Sequence, residues 1–208
     1  MAGIKNIIFD LGGVLLNLDN ARTEQAFTSM GVRRFADHFG HGHADSFFRD
    51  YEVGKISDRQ FIDALKALAN PDTGEEQIVN GWNAMLLDFP AERIAMLDDL
   101  RNRYRLFLFS NTNSLHLDHF SKTYRAAFGP KELEQHFEKA YYSHLLGMRK
   151  PDLKPFEHIL QENGLVASET LFVDDAQVNV EGAIAAGLKG FYLRPGMHVT
   201  EVDFETIF

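Results

Sequence analysis

Several polar residues follow directly on short apolar runs, and their types suit the transfer of a phosphoryl group. Asp10 follows Ile7-Ile8-Phe9, Ser110 with Asn111 follows Leu106-Phe107-Leu108-Phe109, Ser143 follows Tyr141-Tyr142, and Asp174 with Asp175 follows Leu171-Phe172-Val173. Lys150 lies a few residues past Ser143. Carboxylates that converge from distant parts of a chain can hold a hard divalent cation, and Mg²⁺ is the usual one beside a phosphate. Ser110, the Asn111 backbone N–H and Lys150 could then hold the phosphate oxygens. A carboxylate attacking phosphorus gives an aspartyl-phosphate, which splits one difficult hydrolysis into two easier displacements. The metal would offset the charge that otherwise repels the attacking carboxylate.

For these residues to meet, the runs before them must be neighbouring strands. Short apolar runs recur at 4–9, 105–109, 139–142, 170–173 and 190–193, with helix-like segments between most of them. That alternation predicts an α/β fold, a Rossmannoid parallel sheet with helices on both faces. In such sheets ligands sit beyond the carboxyl ends of the strands, where all the residues named above would fall. The order of the strands is not legible at this level.

About a hundred residues separate the first two runs, far more than one crossover helix needs, and helical patterns fill the gap. Ser57-Asp58-Arg59-Gln60 has the spacing of a capping box, with Phe61, Leu65 and Leu68 on one face of the helix it would start. Pro90 opens a further helix from Ala91 to Arg101. We therefore expect a helical cap over residues 17–88, inserted into a catalytic core made of 1–16 and 89–208.

Composition narrows the range of partners. The 208 residues include 18 Phe, are 45% hydrophobic and carry a formal charge of −9, with Lys and Arg scattered along the chain. The field repels a nucleic-acid backbone or an anionic membrane, which favours a small ligand held by local positive groups; with the phosphoryl chemistry above, a small phosphorylated metabolite is the expected partner. No cysteine is present, so thiolate metal sites and cysteine nucleophiles are excluded. Asp10 breaks the first apolar run, no basic leader or membrane-length apolar stretch follows, and a cytoplasmic location is expected.

Four motifs, in order, resemble those of the haloacid dehalogenase superfamily: Phe9-Asp10-Leu11-Gly12-Gly13-Val14-Leu15, Ser110-Asn111-Thr112, Lys150-Pro151, and Asp174-Asp175 with Asn179. Longer stretches are similar to the bacterial sugar-phosphate phosphatases of the α-D-glucose-1-phosphate phosphatase type. These are Ser110-Asn111-Thr112-Asn113, Leu146-Gly147-Met148-Arg149-Lys150-Pro151 and Tyr51-Glu52-Val53-Gly54-Lys55-Ile56-Ser57. The resemblance implies a Mg²⁺-dependent phosphatase with Asp10 as nucleophile and metal ligand. It implies Asp175 as a direct ligand, Asp174 as a ligand or a support, and the Gly12 carbonyl on the metal. Ser110 and Asn111 would contact phosphate, while Lys150 would neutralise charge.

Gly12 departs from the pattern of most phosphatases in that superfamily, which place there an aspartate that protonates the leaving group. Such a group contributes about 10²- to 10⁴-fold, so its loss predicts slow turnover or a good leaving group such as the anomeric oxygen of a sugar 1-phosphate. Gly12 also sustains an alternative, a weakly active or inactive module that binds a phosphorylated metabolite or a protein partner. A second alternative, a 2-haloacid dehalogenase, is disfavoured by the carboxylates at 174 and 175. Away from the motifs, His38, His41 and His43 lie in a cap loop without the acidic neighbour that a known metal spacing needs. Phe47, Phe48, Arg49, Tyr51, Glu52 and Trp82 divide between cap core and a surface that faces the ligand.

Overall fold

The computed structural model describes residues 3–33, 35 and 46–207. The loop histidines at 38, 41 and 43 lie outside them. Five parallel strands form one sheet: β1 (Asn6–Phe9), β2 (Arg105–Ser110), β3 (Lys139–Tyr142), β4 (Thr170–Asp174) and β5 (Lys189–Tyr192), in the order β3-β2-β1-β4-β5. All five apolar runs are strands, and the α/β Rossmann-like architecture expected from them is borne out.

Side chains alternate between two cores, as the two-residue period of a strand requires. Ile7, Phe9, Leu106, Leu108, Leu171 and Val173 pack on one face. Ile8, Phe107, Phe109 and Phe172 pack on the other. The first face is covered by α5 (Ala91–Leu100) and α6 (Ser114–Phe128), which contribute Ile94, Leu97, Phe120 and Tyr124. The second is covered by α8 (Leu153–Asn163) and α9 (Gln177–Ala185), which follow the short α7 (Ser143–Leu146) and contribute Phe156, Ile159 and Ala183. Strands buried on both faces are apolar throughout, which is why these runs stood out in the sequence.

Between β1 and α5 run α1 (Asn20–Ser29), α2 (Ser46–Glu52), α3 (Asp58–Leu68) and α4 (Glu75–Asn83). They bury their own cluster, in which Phe27, Phe48, Phe61, Leu65, Ile78 and Trp82 take part. Phe61 stacks on Tyr51 at 4.0 Å. Ser57 makes the reciprocal capping box with Gln60 that starts α3. The chain enters and leaves this region side by side: Asn17 N–H donates to Asp88 O at 2.9 Å and Leu87 N–H to Asn17 O at 3.0 Å.

In register, Phe9 stands between Leu108 and Val173, so Asp10 ends level with Phe109 and Asp174 on the flanking strands. Lys150 comes from the connection after β3 and is joined to Pro151 by a cis peptide. Gly182 of α9 lies directly against Pro151, and a Cβ there would collide with the Pro151 carbonyl.

This close approach decides the sign of a substitution that helix propensity alone would favour. Alanine gains about 1 kcal/mol over glycine inside a helix, but forcing it against backbone costs about 1–3 kcal/mol. Gly182→Ala is therefore expected to lower the melting temperature; an unchanged or higher value would mean that α9 does not bear on the Lys150 segment.

Candidate active site

The Lys150 ammonium joins the ends of three adjacent strands. Its Nζ donates to Asp10 Oδ1 at 2.6 Å, to Asp174 Oδ2 at 2.7 Å and to the Phe109 carbonyl at 2.9 Å. It is 1% exposed and lies 5.3 Å from the Phe109 ring centre and 5.2 Å from that of Phe172. All three of its protons are thus used inside the protein. A direct bond to phosphate would cost Lys150 one of these partners, so its positive charge is its main offering.

Asn111 places that lysine. Its Nδ2 donates to the Lys150 carbonyl at 3.0 Å, and its Oδ1 accepts the Lys150 N–H at 2.9 Å. The side chain is thus engaged with protein backbone, and the Asn111 backbone N–H, the group expected from the sequence to meet phosphate, takes no part in these bonds. Ser110, the last residue of β2, is buried next to it. Ser143 is brought to the same edge, but its hydroxyl donates to Thr112 O at 3.0 Å and accepts from Thr112 N–H at 2.9 Å. It staples two loops and offers nothing to a ligand.

The carboxylates differ in how much they have left to give. Asp174 is fully buried, and its two oxygens accept from Ala176 N–H at 2.7 Å, Asn179 Nδ2 at 3.2 and 3.1 Å, and Lys150. Asp175 is exposed and lies over the Gly12-Gly13 turn. Gly13 has φ +73°, and a Cβ there would collide with the Asp175 carboxylate. The positive φ favours glycine here, and a side chain would also displace the Asp175 carboxylate. One oxygen from each of Asp10, Asp174 and Asp175 falls within 4.8 Å of the others, an all-oxygen set that suits a hard cation such as Mg²⁺.

At Gly12 the backbone is not in the left-handed region, and a Cβ would meet only the Leu18 side chain, with Leu18 Cδ1 at 2.7 Å. The position is therefore open to a side chain if Leu18 moves. Trp82, divided in the sequence between cap core and ligand surface, is buried in the cap and stacks on His116 of α6 at 4.7 Å. Phe48 is buried in the cap as well.

A family model for haloacid dehalogenase-like hydrolases matches residues 4–187, and the chain belongs to that family. Within it the chain is an enzyme of the phosphatase kind, as two similarities indicate. D-ribitol-5-phosphate phosphatase of Bacteroides thetaiotaomicron is 29% identical over 188 residues, 90% of this chain and 91% of that protein. A HAD family enzyme of the same species, crystallised with magnesium and inorganic phosphate, is 32% identical, with a TM-score of 0.83 over 93% of this chain and 96% of the other. A 2-haloacid dehalogenase of Pseudomonas syringae shares the fold alone, at 20% identity and a TM-score of 0.55 over 91% and 86% of the two chains. The membership read from the four motifs is borne out. Among the described residues, no helix is long and apolar enough to cross a membrane.

The electrostatics give the cluster a pH dependence. Burial, reinforced by the negative charge of Asp174 and opposed by Lys150, pushes the Asp10 pKa up to about 7. For Lys150, burial disfavours the charge, but Asp10 and Asp174 outweigh it and push the pKa above its ordinary value. Lys150 thus keeps its proton, and Asp10 is the group that titrates. A cation at this site competes with the Asp10 proton, so Mg²⁺ affinity in a calorimetric titration is expected to rise about tenfold from pH 6 to pH 8. Affinity that stays level or falls over that range would remove Asp10 from the cation site.

Proposed function

We propose that this protein hydrolyses a small phosphate monoester, a sugar or polyol phosphate, through an aspartyl-phosphate on Asp10. The observation that carries the reading is the three-carboxylate cluster at the strand ends with one buried ammonium against Asp10. That ammonium favours the ionised, attacking form of Asp10 beside two other acids, while burial withholds the water that would solvate it.

In the first displacement an Asp10 oxygen bonds to phosphorus while the bond to the substrate's ester oxygen breaks and the alkoxide leaves. In the second, water attacks the same phosphorus and gives up a proton that balances the one the alkoxide takes from solvent, the bond to Asp10 breaks, and inorganic phosphate departs with the carboxylate restored. Ser110 and the Asn111 N–H would hold the phosphate oxygens, and Lys150 would balance charge on the acceptor side. Mg²⁺, held by Asp10, Asp175 and the Gly12 carbonyl with Asp174 in support, would supply positive charge against the phosphate. Residues 17–88 would act as the cap over the core of 1–16 and 89–208, and the protein would work in the cytosol.

Gly12 leaves the alkoxide without the usual acid, which favours substrates whose leaving group needs little protonation and keeps alive the reading as a weakly active binding module. The similar ribitol-5-phosphate phosphatase is named for a primary alkyl phosphate, so terminal and anomeric phosphates both belong in the trial.

A phosphate-release assay across aldose 1-phosphates, aldose terminal phosphates and polyol phosphates should show turnover that EDTA abolishes and Asp10→Asn reduces by about a thousandfold or more. No release from any substrate would leave the binding module, and halide release from a 2-haloacid that survives EDTA would leave the dehalogenase. Gly12→Asp should raise kcat more for terminal phosphates than for anomeric ones, within the roughly 10²- to 10⁴-fold span of a general acid. Equal or absent gains would show that the proton already has another source.

A further inference from the structure

The helix that follows Ser110-Asn111-Thr112 is started in part by residues of the inserted helices. An α-helix leaves its first N–H groups without partners of its own, and acceptors from outside must satisfy them. In α6 the Asn113 side chain accepts the His116 N–H at 3.0 Å. The Leu115 N–H is taken instead by Tyr51 Oη of α2, at 3.3 Å. The phenol is oriented for this because its own proton is spent elsewhere: Tyr51 Oη donates to Asp58 Oδ1 at 2.9 Å. Ser114 Oγ donates to that same carboxylate oxygen. Burial, with the Asp58 charge beside it, pushes the Tyr51 pKa well above its usual value, so the phenol keeps its proton.

Trp82 of α4 meets the same helical turn. Its Nε1 donates to Asn113 Oδ1 at 3.4 Å, its carbonyl accepts from His116 Nε2 at 3.2 Å, and its ring stacks on the imidazole at 4.7 Å. Burial lowers the His116 pKa to about 4, so the ring is neutral and carries its proton on Nε2. Each of the residues 113–116 is therefore hydrogen-bonded to the inserted helices. On the other side the core holds the segment, Asn111 through the Lys150 backbone and Thr112 through Ser143. Apolar packing would suffice to keep the inserted helices against the core. What the polar contacts add is place: they fall within one turn, directly after the residues proposed to hold phosphate, and hydrogen bonds fix distance and direction where packing tolerates sliding. The Asp58 carboxylate also stands at the positive end of the α6 dipole, which favours it there.

We propose that Tyr51 and Asp58 are positioning residues for phosphate binding, which complete the first turn of α6 and thereby set where Ser110 and the Asn111 N–H stand. The proposal rests on the phosphatase reading above and adds to it residues that act on phosphate through α6. The carboxylates of the cation site lie at the ends of β1 and β4, outside this arrangement, so disturbing it should weaken phosphate and spare Mg²⁺.

The test uses Tyr51→Phe, which keeps the ring that stacks on Phe61 and removes only the hydroxyl, and Ser114→Ala, which frees α6 from Asp58 at a helical position that alanine suits. Ile78→Val trims the buried core of the inserted helices, leaves every hydrogen bond to α6 in place and serves as the control for lost stability. Hydrolysis of p-nitrophenyl phosphate with Mg²⁺ gives kcat, KM and the inhibition constant of inorganic phosphate, calorimetry gives Mg²⁺ affinity, and thermal melting gives stability. Tyr51→Phe and Ser114→Ala are each expected to raise KM and the phosphate inhibition constant together by about five- to thirtyfold, with kcat changed less and Mg²⁺ affinity unchanged. Because both belong to one network, the double variant should lose little more than either alone. Ile78→Val should lower the melting temperature and leave the phosphate constant where it was. A phosphate constant that stays put in Tyr51→Phe and Ser114→Ala, or that follows the melting temperature across all variants including Ile78→Val, would overturn the proposal and leave the phosphatase reading standing. A wild type that neither hydrolyses the ester nor binds inorganic phosphate in calorimetry would bring down the phosphatase reading itself, and the proposal with it.

Discussion

A single buried ammonium organises the catalytic edge of this protein. Lys150 crosses the ends of β1, β2 and β4 and ties Asp10, the Phe109 carbonyl and Asp174 into one charged knot. Burying that charge is costly, and only full pairing offsets the cost: removing one partner from such an arrangement typically loses about 3–5 kcal/mol. Much of the nearby structure serves this knot. Asn111 grips the lysine's backbone from both sides, Gly182 lets α9 close against the next residue, and Asn179 and the Ala176 N–H steady Asp174. The knot leaves Asp10 half committed, held by an ammonium on one oxygen and pushed towards protonation by its burial.

Around that centre the labour divides by exposure. Asp174 is saturated with hydrogen bonds and holds Lys150, whereas Asp175 is exposed over a turn that favours glycine at position 13. The inserted helices bury a separate aromatic cluster, with Tyr51 on Phe61 and Trp82 against Phe48 and Phe61, and they meet the core both through Trp82 stacked on His116 and through polar contacts of Tyr51 and Glu52. Polar points at a seam are specific where apolar ones are adhesive, because each must find its partner at a fixed distance. An oxygen departing from phosphorus at Asp10 would meet Gly12, which has no proton to give.

What the sequence made legible was local or periodic. The strands showed because burial on both faces makes them apolar; the start of α3 showed because Ser57 and Gln60 satisfy each other within one turn, and α5 because Pro90 precedes it. Asp10, Ser110 and Asp174 drew notice because each ends or directly follows a strand. What stayed hidden depends on pairs far apart in the chain. Ser143 looked like its neighbours, yet its hydroxyl is consumed by Thr112, and nothing in the sequence showed that the Asn111 side chain serves Lys150. Glu52 and Arg149 stood in motifs whose likeness to relatives was plain, but only the fold brings residues 52 and 149 within 3.0 Å. Strand order, with Asp10 and Asp174 side by side, likewise required the assembled sheet.

The account turns on Asp10 carrying the phosphoryl group, and that can be observed directly. Wild-type enzyme mixed with its best phosphate ester and Mg²⁺, quenched in acid within a turnover and digested, should yield a peptide spanning Asp10 that is heavier by one phosphoryl group, as read by mass spectrometry. The same peptide from Asp10→Asn should remain unmodified. Rapid turnover with no phosphorylated peptide, or the phosphoryl group found on another residue, would contradict the role given to Asp10 and to the lysine that holds it.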